Sequence, residues 1–232
     1  MMSCPNIYGF NSNSEMGMCV FAPTIFLKGC NLRCPYCMNL FLANGETSQK
    51  IDFNSVKEYV KENKSEWFSI SGGEPTLQDS KKMCNLFKLV RSWGCKISLS
   101  TNGLNPKKLK IFIPYLDYVA LDIKSSRNSD YNIMAGYQDN HLKKVMRSKE
   151  LLDNTLNHFE LRTTLYPIFI DQQALDDIGR HFISKNNTWI LQQYRPVAKM
   201  FGKRLKPYNK TMLKKLLGIA KQYTYNLEMR YV

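Results

Sequence analysis

The chain has 232 residues, enough for one large domain or two small ones and ample for a sizeable core, with one domain favoured, and its longest apolar runs fall below the roughly 18 residues a membrane helix needs. Thirty-three Lys and Arg against 19 Asp and Glu give a net charge of +14, which suits nucleic acid, acidic proteins or anionic substrates and which a solvated lysine-rich surface would equally produce. Seven cysteines, an odd number with three clustered, argue against a disulfide framework; the N-terminus has neither the basic start nor the apolar stretch of a secretory signal, so a reducing, cytoplasmic location is expected.

Apolar, β-branched runs alternate with helical patterns along most of the chain, the signature of strand-helix units around a parallel sheet. Strands are predicted over residues 20–27, 67–71, 96–100, 118–123, 158–166 and 188–194. Asp52 or Asn54 caps a first helix with Val56, Tyr59 and Val60 on its apolar face. Asp79 caps a second, with Met83, Leu86, Phe87 and Val90 at helical spacing. Further helices are predicted over 106–114, 141–152, 172–184 and 209–222, the last strongly amphipathic. Residues 124–139 show no clear period and read as a long loop, and 223–232 alternate as a last edge strand would.

Six such units describe an α/β fold, a partial, open TIM-type barrel of parallel strands in a single domain over 1–232, with its core at about 20–196 and an added helix and strand over 197–232. In barrels of parallel strands the active site forms at the C-terminal strand ends. Nearly every chemically suggestive residue falls there.

The most informative stretch is KGCNLRCPYCMN, Lys28 to Asn39. Cys30, Cys34 and Cys37 offer three thiolates on one short loop, and a four-iron, four-sulfur cluster normally takes four cysteines. Three ligands leave one iron open for a chelating substrate. Gly29 and Pro35 suit a loop that wraps a cofactor. A structural zinc site, with Cys4 or Cys19 as the fourth ligand, is the alternative on these residues alone, and would make the chain a non-enzymatic interaction module. Cys84 and Cys95 read as small buried apolar residues.

This loop, with Tyr36 just before its last cysteine, resembles that of the radical S-adenosylmethionine (SAM) enzymes. Ser71 to Asp79 (SGGEPTLQD), Ser100 to Gly103 (STNG) and Leu121 to Lys124 (LDIK) look like the family's SAM site. Glu160 to Thr164 (ELRTT) and Leu191 to Pro196 (LQQYRP) are similar to the small activating enzymes of anaerobic ribonucleotide reductases. The resemblance spans about residues 26–196. It implies a 4Fe–4S cluster on Cys30, Cys34 and Cys37, SAM chelated at the open iron, and a 5′-deoxyadenosyl radical that abstracts hydrogen from a substrate.

Of the residues around it, Gly72 and Gly73 let the backbone approach a ligand closely, and Glu74 offers a carboxylate to the SAM ammonium. Thr101 and Asn102 add a hydroxyl and an amide at a strand end. Asp122 and Lys124 share a strand face, so Lys124 can pair with the SAM carboxylate and Asp122 can hold a polar group or a monovalent cation. Arg162 with Thr164, and Gln193 with Arg195, share faces in the same way, the first pair toward the ribose or carboxylate of SAM and the second toward the substrate. The implied function is activation of a glycyl-radical enzyme, an anaerobic ribonucleotide reductase first, with a flavodoxin or ferredoxin as electron donor. A stand-alone enzyme modifying a nucleic acid or peptide is the second reading, which the +14 charge and the basic stretch Lys199 to Lys215 allow. Met38 stands where those activating enzymes usually carry His, and the segment before Val20 is unlike theirs.

Overall fold

The computed structural model describes residues 3–17, 20–47, 49–156, 158–196 and 205–231. Among them, eight strands form one sheet in chain order: β1 (Gly9–Gly17), β2 (Val20–Leu27), β3 (Trp67–Gly72), β4 (Lys96–Thr101), β5 (Tyr118–Asp122), β6 (Phe159–Leu165), β7 (Thr188–Gln193) and β8 (Asn226–Tyr231). β1 and β2 are antiparallel, and every pair from β2 to β8 is parallel. The sheet does not close between β1 and β8, so the barrel is partial and open. All six predicted parallel strands are present, and the C-terminal edge strand joins them as a seventh.

Helices α1 (Leu40–Ala43), α2 (Phe53–Glu62), α3 (Ser80–Arg91), α4 (Pro106–Phe112), α5 (Asn128–Ala135), α6 (His141–Thr155), α7 (Gln172–Phe182) and α8 (Lys210–Ala220) connect the strands. Local chemistry sets their starts: the Asp52 carboxylate accepts from the N–H groups of Asn54 and Ser55, and Asp79 accepts from that of Lys82. None of the described helices is long and apolar enough to cross a membrane.

Two elements depart from the pattern reading. The stretch 124–139 is no plain loop, since α5 lies inside it. Its inner face carries Asp130 beside Tyr131 and Met134, and the buried acid is satisfied by Ser125 Oγ at 2.5 Å and Arg127 Nε at 3.0 Å. A polar residue on the buried stripe hides the helical period. β1 was unanticipated because its sequence, GFNSNSEMG, is polar with little β-propensity. The strand forms by pairing with β2.

The outer face of the sheet packs on the helices through Leu27, Ile70, Leu99, Leu121, Leu161 and Trp189, all fully buried. The inner face is polar. Thr24, Ser69 and Ser98 stand side by side in register across β2, β3 and β4. Deeper in the barrel, Glu160 is fully buried and takes a hydrogen bond from the Tyr118 hydroxyl at 2.8 Å, two from Arg230 at 3.1 and 3.2 Å, and one from Arg162 Nε. Burial pushes the Tyr118 phenol well up, as does the adjacent Glu160 charge. This network joins β5, β6 and β8, reaching over β7. A buried carboxylate is tolerated only when paired and hydrogen-bonded, so the last strand is held by charge as well as by its ladder. Replacing Arg230 with Met is expected to lower the unfolding free energy by about 3 kcal/mol, read from chemical denaturation with an unchanged denaturant slope.

Candidate active site

The cysteine loop leaves the end of β2, and its first residues continue the sheet with the residues after β3. Gly73 N–H donates to Leu27 O at 2.8 Å, and Glu74 N–H to Gly29 O at 2.7 Å. A Cβ on Gly72 would lie 2.2 Å from Leu27 N, and one on Gly73 2.0 Å from Gly29 O. Both glycines line the cavity at the strand ends. The need for them is fixed by the loop backbone they press against, which sets where the first cysteine stands.

Glu74 is buried, and its carboxylate gathers four donors. Oε1 accepts from Thr76 N–H (3.0 Å), the Thr76 hydroxyl (2.6 Å) and the Thr101 hydroxyl (2.7 Å), and Oε2 from Asn102 N–H (2.8 Å). Burial raises its pKa, against which these four bonds work. The ends of β3 and β4 are thereby clamped together. Asn102 passes the constraint on, because its Nδ2 donates to Asn31 Oδ1 at 2.8 Å and lies 3.9 Å from Cys30 Sγ.

All three loop cysteines line this cavity. Cys34 is buried and Cys30 and Cys37 are half-buried. Leu32 N–H points at Cys30 Sγ (3.4 Å), Cys37 N–H closes a turn on Cys34 O (3.0 Å), and Arg33 N–H donates to Met134 O of α5 (2.7 Å). Burial raises the Cys30 thiol and pushes that of Cys34 up to about 12. Among the described residues, no three Cys, His, Asp or Glu side chains converge closely enough to enclose a single metal ion. One tetrahedral zinc would need its sulfurs within about 3.8 Å of each other, from a Zn–S bond of about 2.3 Å. Three thiols lining one cavity are the donor set a 4Fe–4S cluster would take. Cys4 is half-buried and absent from the cavity lining, and Cys19 lies outside the described residues.

Across the cavity, Lys124 Nζ pairs with Asp122 Oδ2 at 3.0 Å. Burial is the largest single influence and would lower the Lys124 pKa, but the Asp122 carboxylate together with the neighbouring Cys34 and Tyr36 holds the ammonium well above the usual range. Lys124 N–H donates to the Tyr131 hydroxyl of α5 at 2.9 Å, and Nζ stands 6.0 Å from the Tyr36 ring centre. Tyr36 in turn packs on Tyr166 at 5.0 Å, and Tyr166 on Tyr194 at 5.1 Å. These rings make an apolar wall beside the charged pair.

Thr101, Asn102, Asp122, Lys124, Thr164, Gln193 and Arg195 all line the cavity. Gln193 also donates to Tyr208 O at 3.3 Å. Arg162 is outside the lining: it bonds Glu160 below and reaches Ser100 Oγ at 3.3 Å, so it sits beneath the floor that Ser100 helps to form. Ser71, Ser100 and Gln192 fall inside segments that the sequence marks but carry no individual role there, and all three line the cavity. Their signal was positional, since each lies at the C-terminal end of a parallel strand. Of the basic stretch Lys199 to Lys215, residues 199–204 lie outside the described residues.

An open parallel barrel with a three-cysteine loop after one strand and a Gly-Gly-Glu turn after the next defines a class of cluster-bearing SAM enzymes. The radical SAM superfamily's sequence signature matches residues 24–172, and the chain belongs to that superfamily. It is therefore an enzyme of a family that binds SAM and a 4Fe–4S cluster, and the interaction-module alternative falls. A Methanocaldococcus jannaschii protein provisionally named a glycyl-radical enzyme activating enzyme is 28% identical over 217 residues, 90% of this chain and 88% of that one. The pyruvate formate-lyase-activating enzyme of Streptococcus mutans is 27% identical over 179 residues, 70% of this chain and 66% of that one. A solved domain of a pyruvate-formate lyase-activating enzyme from Bacteroides vulgatus superposes with a TM-score of 0.55 at 15% identity, covering 71% of this chain and 97% of that one, and supports the fold.

The Cys34 thiol carries a pH signature for the metal-free chain. In the unfolded chain it ionises near 9, in the folded one near 12. A raised pKa stabilises the fold below the unfolded value and loses that contribution as pH climbs toward the folded one. The metal-free protein should thus lose stability between pH 9 and 12, and Cys34→Ser should flatten that part of the curve, as measured by denaturant midpoints.

Proposed function

We propose that this chain is an activating enzyme that abstracts a hydrogen atom from a backbone glycine of a partner protein, an anaerobic ribonucleoside-triphosphate reductase being the first candidate, and leaves a glycyl radical there. The observation that carries the reading is the match, over 90% of the chain, to a relative named for that activity. The cavity's mouth agrees with it. Met38, in the lining, is 56% exposed, and Phe41 nearby on α1 is 49% exposed. An apolar rim beside an open cavity suits a partner's glycine loop, which would complete the enclosure.

The bound cluster and SAM supply the one-electron cleavage that yields the hydrogen-abstracting radical. The chain supplies position. Cys30, Cys34 and Cys37 would hold the cluster, and the polar strand ends around them would take SAM. Lys124 meets the SAM carboxylate, while Asp122 keeps Lys124 charged and holds a polar group or a monovalent cation. Gly72 and Gly73 present backbone to the ligand, and Thr101 and Asn102 present a hydroxyl and an amide. Glu74 faces the SAM ammonium from a carboxylate already bonded to four donors, so its main work is to hold the loop and strand ends in place. Tyr36 shields the cluster side, Gln193 lines the substrate side, and Arg162 supports Ser100 from below. A flavodoxin or ferredoxin supplies the electron.

These roles separate by experiment. Lys124→Ala should weaken SAM binding about tenfold with little loss of stability, whereas Glu74→Ala should cost about 2 to 3 kcal/mol in unfolding free energy as well, because four buried donors lose their acceptor. Titration calorimetry with SAM beside thermal melts tells the two apart.

The reading itself is tested by anaerobic electron paramagnetic resonance on the reduced, cluster-loaded protein with SAM and the reductase, with 5′-deoxyadenosine assayed in the same tube. A glycyl doublet on the reductase is expected, and the Cys30, Cys34 and Cys37 triple alanine variant should give neither iron nor deoxyadenosine. Deoxyadenosine without the doublet would move the search to a nucleic-acid or peptide substrate.

A further inference from the structure

A second concavity lies beside the active-site cavity and shares no lining residue with it. Its floor is apolar, from Leu77 after the Gly-Gly-Glu turn and Leu104 after β4, and its rim carries Lys107 of α4 with Lys143 and Arg147 of α6. These three cations are exposed and make no ion pair among the described residues, whereas the neighbouring Lys144 is neutralised by Asp139. One wall is Asn31 of the cysteine loop. Two of its residues lead to Cys30: Asn31 Oδ1 is 4.0 Å from Cys30 Sγ, and Leu104 N–H donates to Asn102 Oδ1 (3.0 Å), whose Nδ2 is 3.9 Å from the same sulfur.

We infer that this groove is the docking site of a small acidic protein that carries a single low-potential electron. The inference deepens the reading of a cluster on the cysteine loop and rests on it. One electron passes from the carrier's reduced prosthetic group to the cluster; the carrier is oxidised by one electron, the cluster reduced by one, and no bond or proton is exchanged at that step. Three unpaired cations around a small apolar floor match the low-area, electrostatically steered contacts that redox partners make. The position serves the task, since the groove reaches the first cysteine from the side while the cavity mouth stays open for substrate. Nucleic acid is the weaker occupant, because the groove offers no aromatic ring on which a base would stack.

The test compares the triple variant Lys107→Glu, Lys143→Glu, Arg147→Glu with Lys143→Gln, Arg147→Gln and with a control reversal, Lys214→Glu, Lys215→Glu, on the exposed face of α8. Binding of an oxidised acidic ferredoxin to the metal-free chain is measured by calorimetry, and cluster reduction in the loaded enzyme by stopped flow with reduced ferredoxin or with dithionite. The groove reversal should weaken binding and slow reduction by ferredoxin at least about tenfold, with the glutamine pair intermediate and the wild-type affinity falling as salt rises. The control reversal and reduction by dithionite should stay at wild-type levels. Dithionite needs no docking, so a cluster it fails to reduce indicts the cluster reading, and a normal dithionite rate with unaltered ferredoxin binding in the groove variants overturns the docking site alone. Equal loss in the control reversal would overturn it as well, and loss of single-stranded DNA binding with ferredoxin affinity intact would assign the groove to nucleic acid instead.

Discussion

The buried carboxylate of Glu74 is the interaction on which the site depends. It collects hydrogen bonds from Thr76, Thr101 and Asn102, residues at the ends of two different strands, and so converts two independent strand ends into one rigid edge. A charged acceptor is worth more than a neutral one in such a place, and leaving its donors unpaired would be costly. The same edge presses Gly72 and Gly73 against the backbone of Leu27 and Gly29, and Asn102 against Asn31 and Cys30. The cysteine loop lies outside regular secondary structure except for its last turn into α1. What orders it is contact with this edge on one side and with α5 on the other.

The barrel beneath is unusual in its inside. A closed eight-stranded barrel fills its interior with branched apolar side chains, whereas this open sheet carries serine, threonine and a buried acid-base network there. Polarity inside has a price in desolvation, which the network of Glu160, Tyr118, Arg162 and Arg230 offsets by satisfying the carboxylate from three strands. Since β8 contributes Arg230, the C-terminal strand is tied to the buried Glu160 of β6 even though it stands at the sheet's free edge. The upper half remains open and polar, as a cavity for a zwitterionic, charged ligand must be.

Electrostatics divide the site into two faces. Lys124, kept charged by Asp122, stands opposite the three thiols and over the Tyr36 ring, and places a cation where both a ligand carboxylate and the anionic cluster would meet it. On the far side of Asn31, exposed lysines and an arginine surround an apolar floor. One positive surface faces the cavity and the other faces outward, with the cysteine loop between them.

How much of this could be read from the chain follows from the range of the forces involved. Strand and helix periods, the Asp52 and Asp79 caps and the three-cysteine spacing are local, so the open parallel barrel and the cluster loop were legible without coordinates. α5 and β1 were not, because a buried Asp130 broke one helical stripe and a polar strand took its order from its neighbour. Asp122 and Lys124 were foreseen on one face because strand alternation is itself local, and both line the cavity. Arg162 obeys the same alternation, yet only the packed barrel turns it down to Glu160 and away from the lining. The two glycines were visible as permissive positions, but that their constraint is the loop's own backbone is a contact between segments more than 40 residues apart. Sequence by itself determined which groups are present and in what order along the strand ends; tertiary structure alone decided which of them meet, because side chains on neighbouring parallel strands are set by register and by buried charges that no single segment contains.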